Sequence, residues 1–207
     1  MCIRDSFWLD DSQYSGPKAE QFILQPPLRP KEWIVDFLAL APVLSVVSTD
    51  HCDYSLEQKR EFTEFTKTPG GLPGLETSFQ LTYTYGVHRA QQQRLDDEHV
   101  QPLSLPELSR LMSTNPAQIF GLYPQKGAIL PGSDADILIY DPRPDVVILT
   151  EELHTSGGYT PYDGMKVKGQ VRTVLSRGDV LVKDGTLYGE PGRGKFLHGK
   201  PFTPSGE

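Results

Sequence analysis

Asp50 and His51 stand in the setting that most directly suggests chemistry in this chain. They follow the run VLSVVS (43–48), which is largely apolar without alternation and rich in valine, as in a parallel strand covered on both faces. In a barrel of alternating strands and helices, reactive groups lie at the carboxyl ends of the strands. A partly desolvated carboxylate there needs a cation or a strong donor, and a divalent metal would also activate a bound water. The alternative is that Asp50 caps the next helix or bonds loop amides.

The other candidate groups do not form a ligand set. Asp134 and Asp136, in SDAD, are expected at a turn and a strand edge, and Cys52 lacks a partner base for a nucleophilic role. His51 is expected to be structural, with its side chain pointing away from Asp50's ligand. No pair of histidines has a His-x-His or other metal-ligand spacing. The five histidines are His51, His88, His99, His154 and His198.

The elements around Asp50 are typical of half of a βαβ unit. The stretch 30–42 has an apolar stripe at helical spacing and leads directly into the predicted strand 43–48. After Asp50, a short charged helix is predicted around Leu56–Phe65. A Gly/Pro-rich loop then runs to residue 76, and its length is typical of functional loops.

Further along, the spacing predicts a helix from Leu75 that ends near Gly86, followed by a solvated polar run over 88–102. Ser104 is expected to cap one short helix and Asn115 to cap a second that Gly121 closes.

The character of the chain changes near Gly127. A strand over GAIL, a Pro-Gly turn and further strands are predicted, with Arg177-Gly178 and Asp184-Gly185 as hairpin turns. The further strands are Ile137–Tyr140, Val171–Leu175, Val180–Lys183 and Thr186–Tyr188. This pattern predicts an antiparallel β module. The polar tail from residue 195 is expected to be loose or docked on a neighbouring subunit.

Composition narrows the classes of partner. The net charge is −7 and no basic stripe is present, which argues against binding nucleic acid or an anionic membrane. No 18-residue apolar span and no signal-peptide pattern occur. Two cysteines cannot form a disulfide framework, so a reducing, cytoplasmic setting is expected.

Several segments, in their order along the chain, resemble the C-terminal part of the dihydropyrimidinase/D-hydantoinase family of cyclic amidohydrolases. The resemblance runs from about Phe7 to Leu197, and its strength lies in the ordered set rather than in any one motif. The segments are FWLDD…QPPLRP, STDHCDYSLEQK, TPGGLPGLET, STNPAQIFGLYPQKGAILPGSDADILIYDP, YDGMKVKGQVRTVLSRGDVLVKDG and GEPGRGKFL.

The resemblance implies an α/β fold, the C-terminal part of a (β/α)8 TIM-like barrel over residues 1–125. It implies a β-sandwich segment over 126–194 and a C-terminal tail over 195–207, in a dimer or tetramer. It also implies two metal ions per subunit, usually zinc, bridged by a hydroxide and a carbamylated lysine that lies outside this chain. The reaction is hydrolytic opening of a cyclic amide such as a dihydropyrimidine or a hydantoin.

On this resemblance Asp50 is the metal-bound carboxylate that moves the proton from the attacking water to the leaving nitrogen. Gly70 and Gln25 are substrate-binding positions, although the family usually has PNG and SPPLR where this chain has Pro69-Gly70-Gly71 and QPPLR. The other family ligands would lie upstream, so the chain is expected to be a fragment that is inactive alone. The alternatives are a non-catalytic scaffold like the collapsin-response mediators, or a relative of allantoinase or dihydroorotase.

Overall fold

The computed structural model describes residues 8–33 and 41–201. The helix predicted over 30–42 falls mostly outside them; its described ends are single 3-10 turns, Lys31–Trp33 and Ala41–Val43. Two more 3-10 turns lie near the start, Asp11–Ser15 and Ala19–Phe22. None of the described helices is long and apolar enough to cross a membrane.

The helical part consists of short helices, two of which continue through π-helical turns. The five described α-helices are α1 (Leu56–Arg60), α2 (Ser78–Tyr83), α3 (Ala90–Asp96), α4 (Leu105–Ser109) and α5 (Asn115–Ile119). The π turn Thr84–Arg89 joins α2 to α3, and the π turn Arg110–Thr114 joins α4 to α5. Helix α1 is thus shorter than predicted.

The predicted helix end at Gly86 is wrong, because the helical path continues to Asp96. The carbonyl of Gly86 accepts a hydrogen bond from the Leu103 N–H (2.8 Å), a partner outside the π turn. The predicted cap at Ser104 is confirmed as a capping box with Glu107. Asn115 does not cap a separate helix; α5 continues from a π turn, and the Asn115 amide donates to the Ser45 carbonyl (2.7 Å).

The buried strand predicted over 43–48 is not present. Val43 is 76% exposed, and residues 44–50 have no regular structure, although Val47 is buried. A parallel strand forms only against a neighbouring strand. The Val47 N–H bonds instead to the carbonyl of Leu111 in a π turn, and all strands in the described part of the chain are antiparallel.

The β module is a four-stranded antiparallel sheet in the order β1-β2-β3-β4. The strands are Ile137–Val147, Lys166–Ser176, Asp179–Lys183 and Thr186–Leu187. The Arg177-Gly178 and Asp184-Gly185 turns have positive φ at both residues, as predicted for tight hairpins. The strand predicted over GAIL is wrong: residues 128–130 are irregular, and Ile129 is 83% exposed.

Two ion-paired aspartates close the start of the sheet. Lys126 contacts both Asp134 (2.9 Å) and Asp136, and the Arg177 N–H donates to Asp136 (2.8 Å). The hydrogen bond from Lys126 holds the pKa of Asp134 below its usual value. Both acids therefore have the turn and strand-edge role expected of them.

A buried core joins the helical part to the β module. Gln80 donates to the carbonyl of Gly169 (2.6 Å), and the Lys168 N–H donates to Thr84 Oγ1 (2.9 Å). A cluster of apolar side chains from both parts packs beside these bonds: Leu9, Leu28, Leu72, Leu81, Ile148, Tyr162 and Val167. The helices and the sheet are therefore held in one packed unit.

Gly169 is required where the Tyr140 ring crosses β2. Its φ is +85°, and an added Cβ would lie 2.4 Å from the ring. We expect Gly169→Ala to lower the free energy of unfolding by about 2–4 kcal/mol, because strain and overlap add. Gly178→Ala is the matched control, since Gly178 has φ +86° but open space, and about 1 kcal/mol is expected. Urea unfolding of both variants measures this; equal losses would contradict the overlap argument.

The described part of the tail docks on this chain. The Lys200 N–H donates to the carbonyl of Gly121 (2.9 Å), at the turn that closes α5 with φ +67°. A Cβ at Gly121 would lie 1.7 Å from the Lys200 carbonyl oxygen, so a glycine allows the approach.

Candidate functional site

Asp50 lies exposed in an irregular segment rather than at a desolvated strand end. Its φ is +44°, in the left-handed region that Asp and Asn tolerate better than most residues. The expected partial desolvation is therefore wrong for the described structure. The physical reason is the missing strand: residues 44–49 form no sheet wall beside the carboxylate.

The two residues after Asp50, His51 and Cys52, connect the segment 50–53 to the Gly/Pro loop by hydrogen bonds. His51 Nδ1 accepts the N–H groups of Gly74 (3.0 Å) and Leu75 (3.2 Å), which places the ring proton of a neutral imidazole on Nε2. The Cys52 N–H donates to the carbonyl of Leu72 (3.1 Å). His51 therefore has the structural role expected of it.

The structure brings Gln25 and Gly70 together. A Cβ added at Gly70 would lie 3.4 Å from Gln25 Cγ, an ordinary van der Waals contact. The next residue, Gly71, donates its N–H to the carbonyl of Ile23 (3.0 Å). A Cβ on Gly71 would lie only 2.6 Å from Cys52 Cβ. Three separate segments thus meet, and each carries one of the predicted site residues Gln25, Asp50 and Gly70.

Lys59 stands at the centre of this junction, and the sequence interpretation missed it. The Ser55–Gln58 capping box starts α1 and turns Lys59 inward, where its side chain is fully buried. Its Nζ donates to the carbonyls of Ile23 (2.7 Å) and Pro69 (2.8 Å). Burial lowers the pKa of Lys59 to about 8. The signal available was position: Lys59 shares a helix face with Leu56, three residues earlier.

Asp53 fastens the same motif to the β module. Its Oδ2 accepts hydrogen bonds from Thr155 Oγ1 (2.7 Å) and from the N–H groups of Ser156 (2.9 Å) and Gly157 (3.0 Å). Burial alone would raise the pKa of Asp53, but the bonds from Thr155 and Ser156 outweigh it and lower that pKa. Asp53 is an anchoring residue that spacing did not indicate, because its partners lie about 100 residues away.

A cleft of about 410 Å³ opens beside Asp53, between the Gly/Pro loop and residues 153–160. His154 pairs there with Glu76 through both its backbone N–H and Nδ1 (2.8 Å each). The cleft includes His51 but neither Gln25 nor Gly70. It is therefore distinct from the junction that carries the predicted substrate contacts.

The donor set of this chain does not make a metal centre by itself. Across residues 8–33 and 41–201, no group of three or more His, Cys, Asp or Glu side chains could hold an ion. Asp50 is a single carboxylate, and one carboxylate is too few donors for a catalytic divalent site. The described residues therefore supply at most one ligand, Asp50, of the two-metal site that the resemblance implied, in which the other ligands lie outside this chain.

Comparisons with known proteins agree with the resemblance. The model of the amidohydrolase family matches residues 39–181. D-phenylhydantoinase from Escherichia coli O1:K1 is 38% identical over 205 residues, which cover 95% of this chain and 41% of that protein. The chain thus spans about two fifths of the length of such relatives. The amidohydrolase family is generally metal-dependent.

Solved structures of relatives superpose closely on the chain. A D-hydantoinase matches with a TM-score of 0.85 at 30% identity, covering 97% of this chain and 42% of that one. Dihydropyrimidinase from Brevibacillus agri NCHU1002 matches with a TM-score of 0.86 at 31% identity, with the same coverage. The predicted fold class, part of a TIM-like barrel with an antiparallel β segment, is confirmed. The chain belongs to the amidohydrolase family, and the relatives compared above are hydantoinases and a dihydropyrimidinase.

Proposed function

We propose that this chain is part of a metal-dependent cyclic amidohydrolase, which hydrolyses the ring C–N amide bond of hydantoins or dihydropyrimidines. The observation that carries the proposal is the junction at which the segments of Gln25, Asp50 and Gly70 meet. Relatives named hydantoinase and dihydropyrimidinase support the substrate class. In this proposal, the metal ligands other than Asp50 come from residues outside the described part of the chain.

In this proposal Asp50 moves the proton. It takes a proton from the water that adds to the ring carbonyl carbon, and it delivers that proton to the ring nitrogen as the C–N bond breaks. Proton transfer requires that the substrate ring lie against the exposed carboxylate. Gly70 and Gln25 hold the ring in this position by contacting it, Gly70 through its backbone.

The remaining features of the proposal follow the family. Zinc is the proposed metal, a small cyclic amide or ureide is the substrate, and the working assembly is a cytoplasmic dimer or tetramer. Neither nucleic acid nor a membrane is a proposed partner, in line with the net charge of −7.

A hybrid enzyme tests the proposal. This chain replaces the matching 205-residue segment of E. coli D-phenylhydantoinase, and phenylhydantoin, dihydrouracil and allantoin are assayed. We expect the hybrid to hydrolyse a hydantoin or dihydrouracil. We expect the 207-residue chain alone to be inactive, because its described residues offer a single candidate ligand. The parent enzyme is the positive control.

Two results would redirect the proposal. A folded hybrid with a cooperative melt but no activity on any ring would favour the scaffold alternative. Hydrolysis of allantoin alone would move the chain to the allantoinase side of the family.

A further inference from the structure

Lys59 is a buried cation held by main-chain carbonyls. Among the described ion pairs none involves Lys59, and its Nζ donates to Ile23 and Pro69 at 2.7 and 2.8 Å. The ring of Tyr54 lies 5.9 Å from the same nitrogen. Its charge is therefore satisfied by dipoles and an aromatic face rather than by a carboxylate.

Such an arrangement is costly as packing. An ammonium buried without a counter-ion pays a desolvation penalty of several kcal/mol, and an apolar side chain of similar volume would fill the space at lower cost. The lowered pKa of Lys59, about 8, reflects the same penalty. What the ammonium provides and an apolar side chain does not is a pair of donors that fix two carbonyls at one point.

The two carbonyls belong to the segments that carry the substrate contacts. Ile23 is two residues before Gln25, and Pro69 directly precedes Gly70. The Ile23 carbonyl accepts a second bond, from the Gly71 N–H (3.0 Å). One carbonyl and one ammonium therefore define the separation between the two segments.

We propose that Lys59 is a positioning residue that sets the spacing of Gln25 and Gly70, and so the fit of the substrate ring. This inference rests on the proposed function. The backbone that follows Asp50 is held by different bonds: His51 Nδ1 accepts from the N–H groups at 74 and 75, and the Cys52 N–H donates to the carbonyl at 72. Loss of the Lys59 bonds therefore acts on substrate binding more than on proton transfer.

Lys59→Met tests this proposal, because methionine has a similar length and no donor. In the hybrid enzyme we expect KM to rise about 10-fold with kcat changed less than about 3-fold, as for loss of a charged hydrogen bond that holds the binding surface. In the 207-residue chain we expect amide exchange at Gly71 to become about 10-fold faster. Lys67→Met is the matched control, since Lys67 is exposed and pairs only with Glu64 among the described ion pairs; no change is expected.

Lys59→Gln is the second variant, for the case in which Lys59→Met does not fold. Its neutral amide keeps two donors, and we expect a KM between those of the parent and Lys59→Met. Unchanged KM and unchanged Gly71 exchange in Lys59→Met would overturn the positioning role. An inactive parent hybrid with faster Gly71 exchange in the variant would instead reject the proposed function and retain the structural part of this inference.

Discussion

Asp50→Asn in the hybrid enzyme is expected to lower kcat about 1,000-fold, within the range that a positioned acid or base contributes. The substitution keeps the shape of the side chain and removes its ability to accept a proton. Asn also tolerates the left-handed backbone at this position, where φ is +44°. The local turn should therefore remain intact, and steady-state kinetics with a saturating hydantoin measure the loss.

Asp184→Asn is the matched control. Asp184 is also an aspartate with a left-handed φ, +47°, but it lies in the turn between β3 and β4. We expect its kcat to equal that of the parent hybrid. A fully active Asp50→Asn variant would remove the proton-transfer role from Asp50 and leave the hydrolase proposal without its reactive group.

Gly71→Ala is expected to lower kcat/KM about 100-fold. The added methyl would lie 2.6 Å from Cys52 Cβ, which cannot move without moving the backbone beside Asp50. A displacement of about 1 Å between reacting groups is enough for a loss of this size. Kinetics of the hybrid measure the effect, and a thermal melt shows whether the fold is retained.

Gly70→Ala separates this effect from a general intolerance of the loop. Its methyl would contact Gln25 Cγ at 3.4 Å, an ordinary distance, and Gly70 does not have a left-handed φ. We expect kcat/KM to change at most a few-fold. Equal losses in the two variants would mean that loop stiffness, rather than the Cys52 contact, governs the site.

The sequence predicted well those features of the fold that depend on neighbouring residues, namely turns and helix caps. The Arg177-Gly178 and Asp184-Gly185 hairpins and the Ser104 cap depend on neighbours two or three residues away, so their residue types suffice. The strand predicted over 43–48 requires a neighbouring parallel strand. The apolar content of the segment did not show that the described structure has no such strand. Within the π turn, the Gly86 carbonyl bonds to Leu103, and no local sequence pattern indicates this distant partner.

The candidate site divides in the same way. Asp50 stood out because a carboxylate ended an apolar run, while Gln25 and Gly70 became candidates only through family resemblance. Lys59 was hidden, because a lysine in a charged helix is normally solvated and only the three-dimensional path of residues 23 and 69 buries it.

The anchoring of Asp53 by Thr155, Ser156 and Gly157 has a consequence for protein engineering. The short loop 155–157 anchors the segment 50–53 through Asp53, although it lies about 100 residues away. Grafting or lengthening this loop, as in shuffling of β modules between homologues, would loosen the turn at Asp50 without altering any residue that meets the substrate. Crossover points for such libraries should therefore keep both stretches from one parent.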